Sequence, residues 1–186
     1  MRVCIEGLRF SGKTTLISVL ATMFFKENYS VSIIPEWRFS NNGPSDTYEW
    51  IKSVFFERNY LESIAQSCTT SIVLSDRSLI DLEAFLLCDY PEQADLFFCK
   101  KDDRYIPDMN IFLYADKKVL TQRAALRDSS NLLNNERIID FYYKIYQRYN
   151  IEPVIIDTSS MSKMELANMV YDIIISAKQK ETRVKQ

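Results

Sequence analysis

A lysine and a hydroxyl residue that directly follow two closely spaced glycines could hold a polyphosphate. Residues 7 to 14 read Gly-Leu-Arg-Phe-Ser-Gly-Lys-Thr, the pattern G-x-x-x-x-G-K-[ST] without deviation. In such a loop the backbone N–H groups and the lysine bind phosphate oxygens, and the threonine hydroxyl binds Mg²⁺. We therefore predict ATP and Mg²⁺ as ligands. The nucleotide contacts would come from Gly7, Leu8, Arg9, Phe10, Ser11, Gly12, Lys13, Thr14 and Thr15.

The elements on either side of this loop are those that its chemistry requires. The apolar run Val3–Ile5 precedes the loop, and residues 16 to 24 place apolar side chains at helical spacing after it. A helix that begins here adds the positive end of its dipole to the phosphate site. The alternative is an ordinary glycine turn beside an unrelated lysine. Glycine is scarce, however: the chain has three, and two of them are Gly7 and Gly12.

Four further apolar runs resemble the first and predict strands. They are Val31–Ile34, Ile72–Ser75, Met109–Tyr114 and Val154–Asp157. Segments with helical periodicity separate them, and this alternation favours a parallel sheet built from right-handed βαβ units. Apolar residues throughout each run indicate that helices cover both faces. We predict a three-layer α/β fold with a five-stranded parallel sheet and helices on both faces, in one domain over residues 1–186.

The charge, the residue types present and the apolar stretches exclude several classes of function for this sequence. The net charge of −2 predicts no nucleic-acid partner. The absence of histidine excludes an imidazole base. None of the four cysteines forms a C-x-x-C pair, so we expect free thiols and no zinc site. No signal peptide and no long apolar stretch is apparent, which predicts a cytoplasmic protein that does not contact a membrane.

The remaining motifs select one class of phosphate-loop protein. Signalling GTPases need D-x-x-G and N-K-x-D, and neither occurs here. The glycine pair of transport ATPases is also missing, and Asp76-Arg77 replaces the acidic pair that closes the third strand in large ATPases. Phosphoryl transfer to a small acceptor molecule therefore remains as the predicted reaction.

Several short motifs resemble the thymidylate kinase and deoxynucleoside kinase family of P-loop kinases. Ile5-Glu6-Gly7-Leu8 is similar to the opening of that family, and Asp76-Arg77 followed by Ala84-Phe85 is similar to its D-R-Y-x-x-S-x-x-A-Y stretch. Pro35-Glu36 resembles the element after its second strand, and Pro107-Asp108 precedes a similar fourth strand. The resemblance spans nearly the full length, and it implies a P-loop kinase fold, a nucleotide or nucleoside acceptor and a homodimer.

The resemblance assigns roles on the acceptor side of the site. Asp76 ends an apolar strand and would hold Mg²⁺ together with Thr14; its alternative role is to cap the next helix. Arg77 would bind the acceptor through its planar fork of donors, the alternative being a surface salt bridge. Glu36 would engage the acceptor hydroxyl, with Arg38 beside it.

Two further arginines and two residues of a helix complete the predicted site. Arg123 and Arg127 stand at i, i+4 and would act from a short lid around residues 123–136, stabilising charge on the transferring phosphoryl group. The alternative is a solvated helix end. Arg58 and Phe55 would contact the acceptor base, whereas aromatic residues at helical spacing more often pack in a core.

The acceptor itself stays open between two substrates. The Ala84-Phe85 register favours a nucleoside monophosphate, most of all dTMP converted to dTDP in nucleotide biosynthesis, whereas Ser78 favours a deoxynucleoside 5′-hydroxyl. A third reading is a nucleotide-binding protein without kinase activity. It is favoured by Arg9, because many thymidylate kinases carry aspartate at that position, and by Asp81, which also departs from the family pattern.

Overall fold

A five-stranded parallel sheet forms the centre of the molecule. The computed structural model describes residues 1–36, 47–98, 106–126 and 135–184. The strands are β1 (Arg2–Gly7), β2 (Val31–Ile34), β3 (Ile72–Asp76), β4 (Met109–Tyr114) and β5 (Val154–Asp157). They lie in the order β2-β3-β1-β4-β5, and every neighbouring pair is parallel. The predicted α/β fold and parallel sheet are confirmed, and β1 and β3 extend beyond the apolar runs that predicted them.

Helices connect the strands and cover the sheet. They are α1 (Lys13–Lys26), α2 (Thr47–Ser67), α3 (Leu79–Asp89), α4 (Pro91–Phe97), α5 (Lys117–Ala125), α6 (Asn135–Tyr149) and α7 (Lys163–Val184). Within the described ranges, none of these helices combines the length and apolarity that crossing a bilayer requires.

The face of the sheet beneath α1 and α7 is apolar. Val3 and Ile5 of β1 pack there against Leu20 of α1 and Val170 of α7 in one continuous buried cluster. Burial of aliphatic side chains stabilises by roughly 1.5–3 kcal/mol for each fully buried residue. This cluster fixes α1, and with it the phosphate loop, against the sheet.

The face beneath α2, α3 and α6 contains many polar groups as well as apolar ones. Side chains alternate along a strand, so Arg2, Cys4 and Glu6 of β1 lie on this face. All three are buried. The other buried polar or charged residues of this layer are Arg58, Glu62, Ser75, Ser78, Asp81, Glu83 and Asn110. A hydrogen-bonded network therefore supports the helices on this side, and it leads toward the carboxyl ends of the strands.

Candidate active site

The phosphate loop has a backbone that only glycine permits at its first position. Gly7 has φ of 124°, and a Cβ built there would lie 1.9 Å from the carbonyl oxygen of Leu113 on β4. Gly12 also has positive φ, at 102°, and directly precedes α1. The Ser11 hydroxyl donates to the Leu8 carbonyl at 2.8 Å, which closes the loop on itself. The motif therefore forms the strand–loop–helix turn that a phosphate-binding loop needs.

The Lys13 side chain lies inside this loop. Its Nζ donates to the carbonyl oxygens of Gly7 at 3.0 Å and Leu8 at 2.7 Å, and the residue is 6% exposed. Burial, together with the nearby Arg77 guanidinium, lowers the pKa of Lys13 to about 7. A bound polyphosphate would supply the negative charge that this buried ammonium needs.

Thr14 and Asp76 meet between α1 and the end of β3. The Thr14 hydroxyl donates to Asp76 Oδ2 at 2.6 Å. The other carboxylate oxygen, Oδ1, is buried and has no hydrogen-bond partner among the described residues. Burial raises the pKa of Asp76. A hydroxyl beside a carboxylate with an unsatisfied oxygen is a donor set that fits Mg²⁺, which prefers hard oxygen ligands.

Arg77 forms a cluster of charged and polar side chains with the segment after β2 and with two helices. Its Nε donates to Glu36 Oε1 at 2.5 Å, and its Nη1 donates to Asp81 Oδ1 in α3. The Tyr142 hydroxyl of α6 donates to the same Asp81 oxygen. Burial disfavours the arginine charge, yet Asp81, Tyr142 and Glu36 hold the pKa of Arg77 well above its ordinary value. The guanidinium therefore stays cationic.

A cavity of about 280 Å³ joins the loop to this charged cluster. It is lined by Arg9, Phe10, Gly12, Lys13, Thr14, Thr15, Glu36 and Arg77. Residues predicted to bind phosphate and residues predicted to bind the acceptor are far apart in sequence, yet they line the same cavity. The cavity lies beyond the carboxyl ends of β1 and β3, where open parallel sheets bind their ligands.

A second cavity, of about 440 Å³, lies on the other side of the loop. Its lining includes Phe10, Thr15, Arg123, Met161 and Leu166. It is more apolar than the first cavity and is bounded by α1, α5 and the segment that joins β5 to α7. Its size and lining suit a planar aromatic group.

The comparisons with known proteins concern the fold. No protein-family model matches the chain, and no curated protein matches it in sequence. Among solved structures, thymidylate kinase from Candida albicans superposes with a TM-score of 0.74 at 18% identity, covering 95% of this chain and 92% of that one. This chain has the fold of a thymidylate kinase. Deoxyadenosine kinase from M. mycoides superposes with a TM-score of 0.69 at 14% identity, covering 95% of this chain and 100% of that one. A second structure of that enzyme, with dATP bound, gives a TM-score of 0.62 at 15% identity over 94% and 98% of the chains.

Arg123 forms its hydrogen bonds beside the larger cavity. Its Nη1 donates to the Phe10 carbonyl at 3.3 Å and the Thr158 hydroxyl at 3.0 Å, and its Nη2 donates to the Thr158 carbonyl at 2.7 Å. Arg123 was expected over the transferring phosphoryl group, yet it lines the larger cavity. The reason is that α5 packs beside the segment after β5, so its last turn faces Thr158.

Phe55 and Arg58, for which the sequence predicts contact with the acceptor base, have partners within the protein. Phe55 packs on Phe97 and Phe98, with ring centroids 4.8 Å and 5.3 Å apart. Arg58 is fully buried and donates to Glu62 Oε1 from Nε at 3.1 Å and from Nη2 at 3.0 Å. The predicted Arg38 and Arg127, and most of the predicted lid, lie outside the described residues.

Several residues that the sequence patterns did not single out support the site in this kinase fold. The Thr158 hydroxyl joins loop and sheet by donating to the carbonyls of Ser11 at 3.1 Å and Tyr114 at 3.0 Å. Glu6 accepts a hydrogen bond from Ser78, and burial together with nearby Asp81 raises the pKa of Glu6 to about 8. A carboxylate inside an otherwise apolar strand was the signal that could have identified Glu6.

Proposed function

We propose that this protein transfers the γ-phosphoryl group of ATP to a nucleoside monophosphate, most of all dTMP. One observation carries the proposal: Lys13, Thr14, Glu36 and Arg77 line one cavity of about 280 Å³. A phosphate loop alone would indicate only nucleotide binding. A fixed arginine and a carboxylate facing the same space supply a place for a second substrate.

The phosphate loop would hold the donor nucleotide. Its backbone N–H groups and Lys13 would bind the polyphosphate, and the larger cavity beside Phe10 and Arg123 would receive the purine ring. The two cavities share Phe10, Gly12 and Thr15, so one molecule can extend from one into the other. A guanidinium fixed by Thr158 could also stack on an aromatic base.

The Thr14 hydroxyl and the Asp76 carboxylate would hold Mg²⁺. The ion would neutralise charge on the β- and γ-phosphates. Thr14 stands in the first turn of α1 and Asp76 ends β3, so rigid elements fix the distance between the two ligands. Their contribution is positional, since neither residue exchanges a proton with the acceptor.

Arg77 would hold the acceptor phosphate for an in-line reaction. Its guanidinium is fixed from two sides by Glu36 and Asp81. An oxygen of the acceptor phosphate would form the new bond to the γ-phosphorus as the bond to the departing ADP oxygen breaks. This oxygen is already ionised near neutral pH, so transfer needs no base. Catalysis would then consist of positioning and charge neutralisation, which the lack of histidine does not impair.

A deoxynucleoside is the second candidate acceptor, and the position of Glu36 favours it. This carboxylate is about 43% exposed and lies in the cavity beside Arg77, where it could take the proton from a 5′-hydroxyl. The two candidates differ in what they require. A hydroxyl acceptor needs the base, whereas a phosphate acceptor does not.

The deciding experiment measures ADP production with a panel of nucleosides and nucleoside monophosphates. We expect turnover with monophosphates, fastest with dTMP. Glu36→Gln should then change the rate by less than about tenfold, whereas a hydroxyl acceptor predicts a loss of about 10²–10⁴-fold. Glu57→Gln, an exposed carboxylate of α2, is the matched control. Turnover without any acceptor would indicate a simple ATPase, and no turnover with the whole panel would indicate a nucleotide-binding protein without kinase activity.

A further inference from the structure

Arg58 connects the two residues that face the acceptor. Its guanidinium donates from Nη2 to the backbone carbonyl of Arg77 and from Nη1 to that of Pro35 at 3.4 Å. One of these carbonyls belongs to Arg77 itself. The other belongs to Pro35, which directly precedes Glu36. The Glu36 and Arg77 side chains in turn form an ion pair at 2.5 Å. One buried side chain thus bridges the chain after β2 and the chain after β3.

The backbone of Arg77 needs such support. Its φ of 69° lies in the left-handed region, where a residue with a Cβ is strained. The N–H of Arg77 donates to the Ile5 carbonyl at 3.1 Å, and its carbonyl accepts from Arg58. Both backbone polar groups of Arg77 are therefore held, one by β1 and one by α2.

Glu62 fixes the bridging guanidinium in turn. It lies one turn along α2, is 2% exposed, and accepts two hydrogen bonds from Arg58 through Oε1. The same oxygen accepts from the Leu79 N–H at the start of α3 at 3.3 Å, and Oε2 pairs with Arg2 at 3.3 Å. Arg58 thereby forms part of a buried network that also anchors α3, the helix carrying Asp81.

We infer that Arg58 is a positioning residue for the acceptor site, acting through the backbones of Glu36 and Arg77 without touching the acceptor. This inference rests on the proposed phosphoryl transfer. A planar guanidinium reaches two carbonyls and a carboxylate at once, which an ammonium cannot do with the same geometry. Losing it would release Arg77 from its strained conformation and misplace the guanidinium that holds the acceptor.

The test compares Arg58→Met and Arg58→Lys with Arg2→Met. Arg2→Met removes the other cation bound to Glu62. Arg2 lies at the end of β1 that is away from the phosphate loop. For Arg58→Met we expect the acceptor KM to rise about 10- to 100-fold, while the KM for ATP stays within about twofold. Arg58→Lys should fall between wild type and Arg58→Met. Arg2→Met should keep the acceptor KM of the wild type.

The acceptor panel separates positioning from direct contact. A positioning role predicts the same rise in KM for thymine, cytosine and purine acceptors, since no atom of Arg58 reads the base. A rise confined to one base would overturn the inference in favour of direct contact, and an unchanged acceptor KM in a folded Arg58→Met protein would overturn it outright. Equal rises in both KM values would show a general structural loss and also contradict it.

Two further measurements keep the test decisive. Arg58→Met leaves Glu62 buried with one cation fewer, which can prevent folding. The double variant Arg58→Met/Glu62→Gln removes that charge and keeps an oxygen for the Leu79 N–H, so it should fold and show the same selective rise. A wild-type protein inert toward every acceptor would refute the proposed function itself, and this is seen before any variant is made.

Discussion

The hydroxyl of Thr14 donates a 2.6 Å hydrogen bond to Oδ2 of Asp76, which joins the first turn of α1 to the end of β3. The two residues come from separate βα units, and the pairing of β1 with β3 brings them together. Asp76 Oδ1, in contrast, is buried without a hydrogen-bond partner in the described part of the chain. An unsatisfied buried carboxylate oxygen is costly unless a ligand completes it. This pair is therefore where we expect Mg²⁺ to bind.

Replacing Thr14 with valine should weaken the binding of Mg²⁺ at this pair of residues. Valine keeps the shape but lacks the hydroxyl, so we expect the Mg²⁺ concentration for half-maximal turnover to rise about tenfold or more. Thr22→Val in the same helix, where the hydroxyl donates only to the Ser18 carbonyl, is the control and should leave this concentration unchanged. The measurement is a Mg²⁺ titration of turnover at saturating ATP. Identical titrations for Thr14→Val and wild type would exclude Thr14 as a ligand.

Replacing Lys13 with alanine should abolish turnover and preserve the fold. Alanine removes the ammonium that lies against the loop carbonyls, where it would bind the polyphosphate. We expect a loss of about 10³-fold or more. Turnover is measured by ADP release, and circular dichroism reports the fold. Lys26→Ala, an exposed lysine at the end of the same helix, should retain full activity. A folded Lys13→Ala protein with undiminished turnover would refute the site.

Arg123→Met should affect the donor rather than the acceptor. Arg123 fixes the Phe10 and Thr158 carbonyls around the larger cavity, where we place the purine. Its loss should raise the KM for ATP about tenfold and leave the acceptor KM unchanged. Steady-state kinetics with each substrate varied in turn provide the measurement, with Lys118→Met, an exposed residue of the same helix, as the control. A rise confined to the acceptor KM would restore the predicted role over the transferring phosphoryl group.

Glu6→Gln should flatten the dependence of stability on pH. Burial, together with the nearby Asp81 carboxylate, raises the pKa of Glu6 from 4.5 to about 8. Between these values the folded state binds a proton that the unfolded state has released. The contribution of Glu6 is therefore fully present below pH 4.5 and is lost as pH rises through about 8. Glutamine mimics the protonated acid and cannot ionise, so the variant loses less stability over this range.

The measurement for Glu6 is urea unfolding from pH 5 to pH 8.5. The decline in the free energy of unfolding across this range should be smaller for Glu6→Gln than for wild type. Glu92→Gln, an exposed residue of α4, should reproduce the wild-type profile. Parallel profiles for Glu6→Gln and wild type would show that Glu6 ionises at its ordinary pKa.

The strands and the phosphate loop could be predicted from sequence because their signals are local. An apolar run such as Met109–Tyr114 is recognisable without its neighbours, and the structure has it as β4 with the same bounds. The loop requires glycine at fixed positions, because at Gly7 a side chain would collide with Leu113. Both conclusions depend on a few consecutive residues, which is why they needed no knowledge of the contacts between distant segments.

Only the tertiary structure decided what the charged side chains face. Arg58 and Arg123 each stand on a helix with polar neighbours, and the sequence pattern predicts ligand contact for both. In the fold, Arg58 is buried under α2 against Glu62, and Arg123 is bonded to Thr158. Glu62 lies four residues from Arg58 on the same helix, so its spacing allows the pair, and packing decides that the pair is buried. Thr158 lies 35 residues from Arg123, and that pairing depends on how α5 packs beside the chain after β5. Burial and contacts between distant segments come from packing, which spacing along the chain cannot specify.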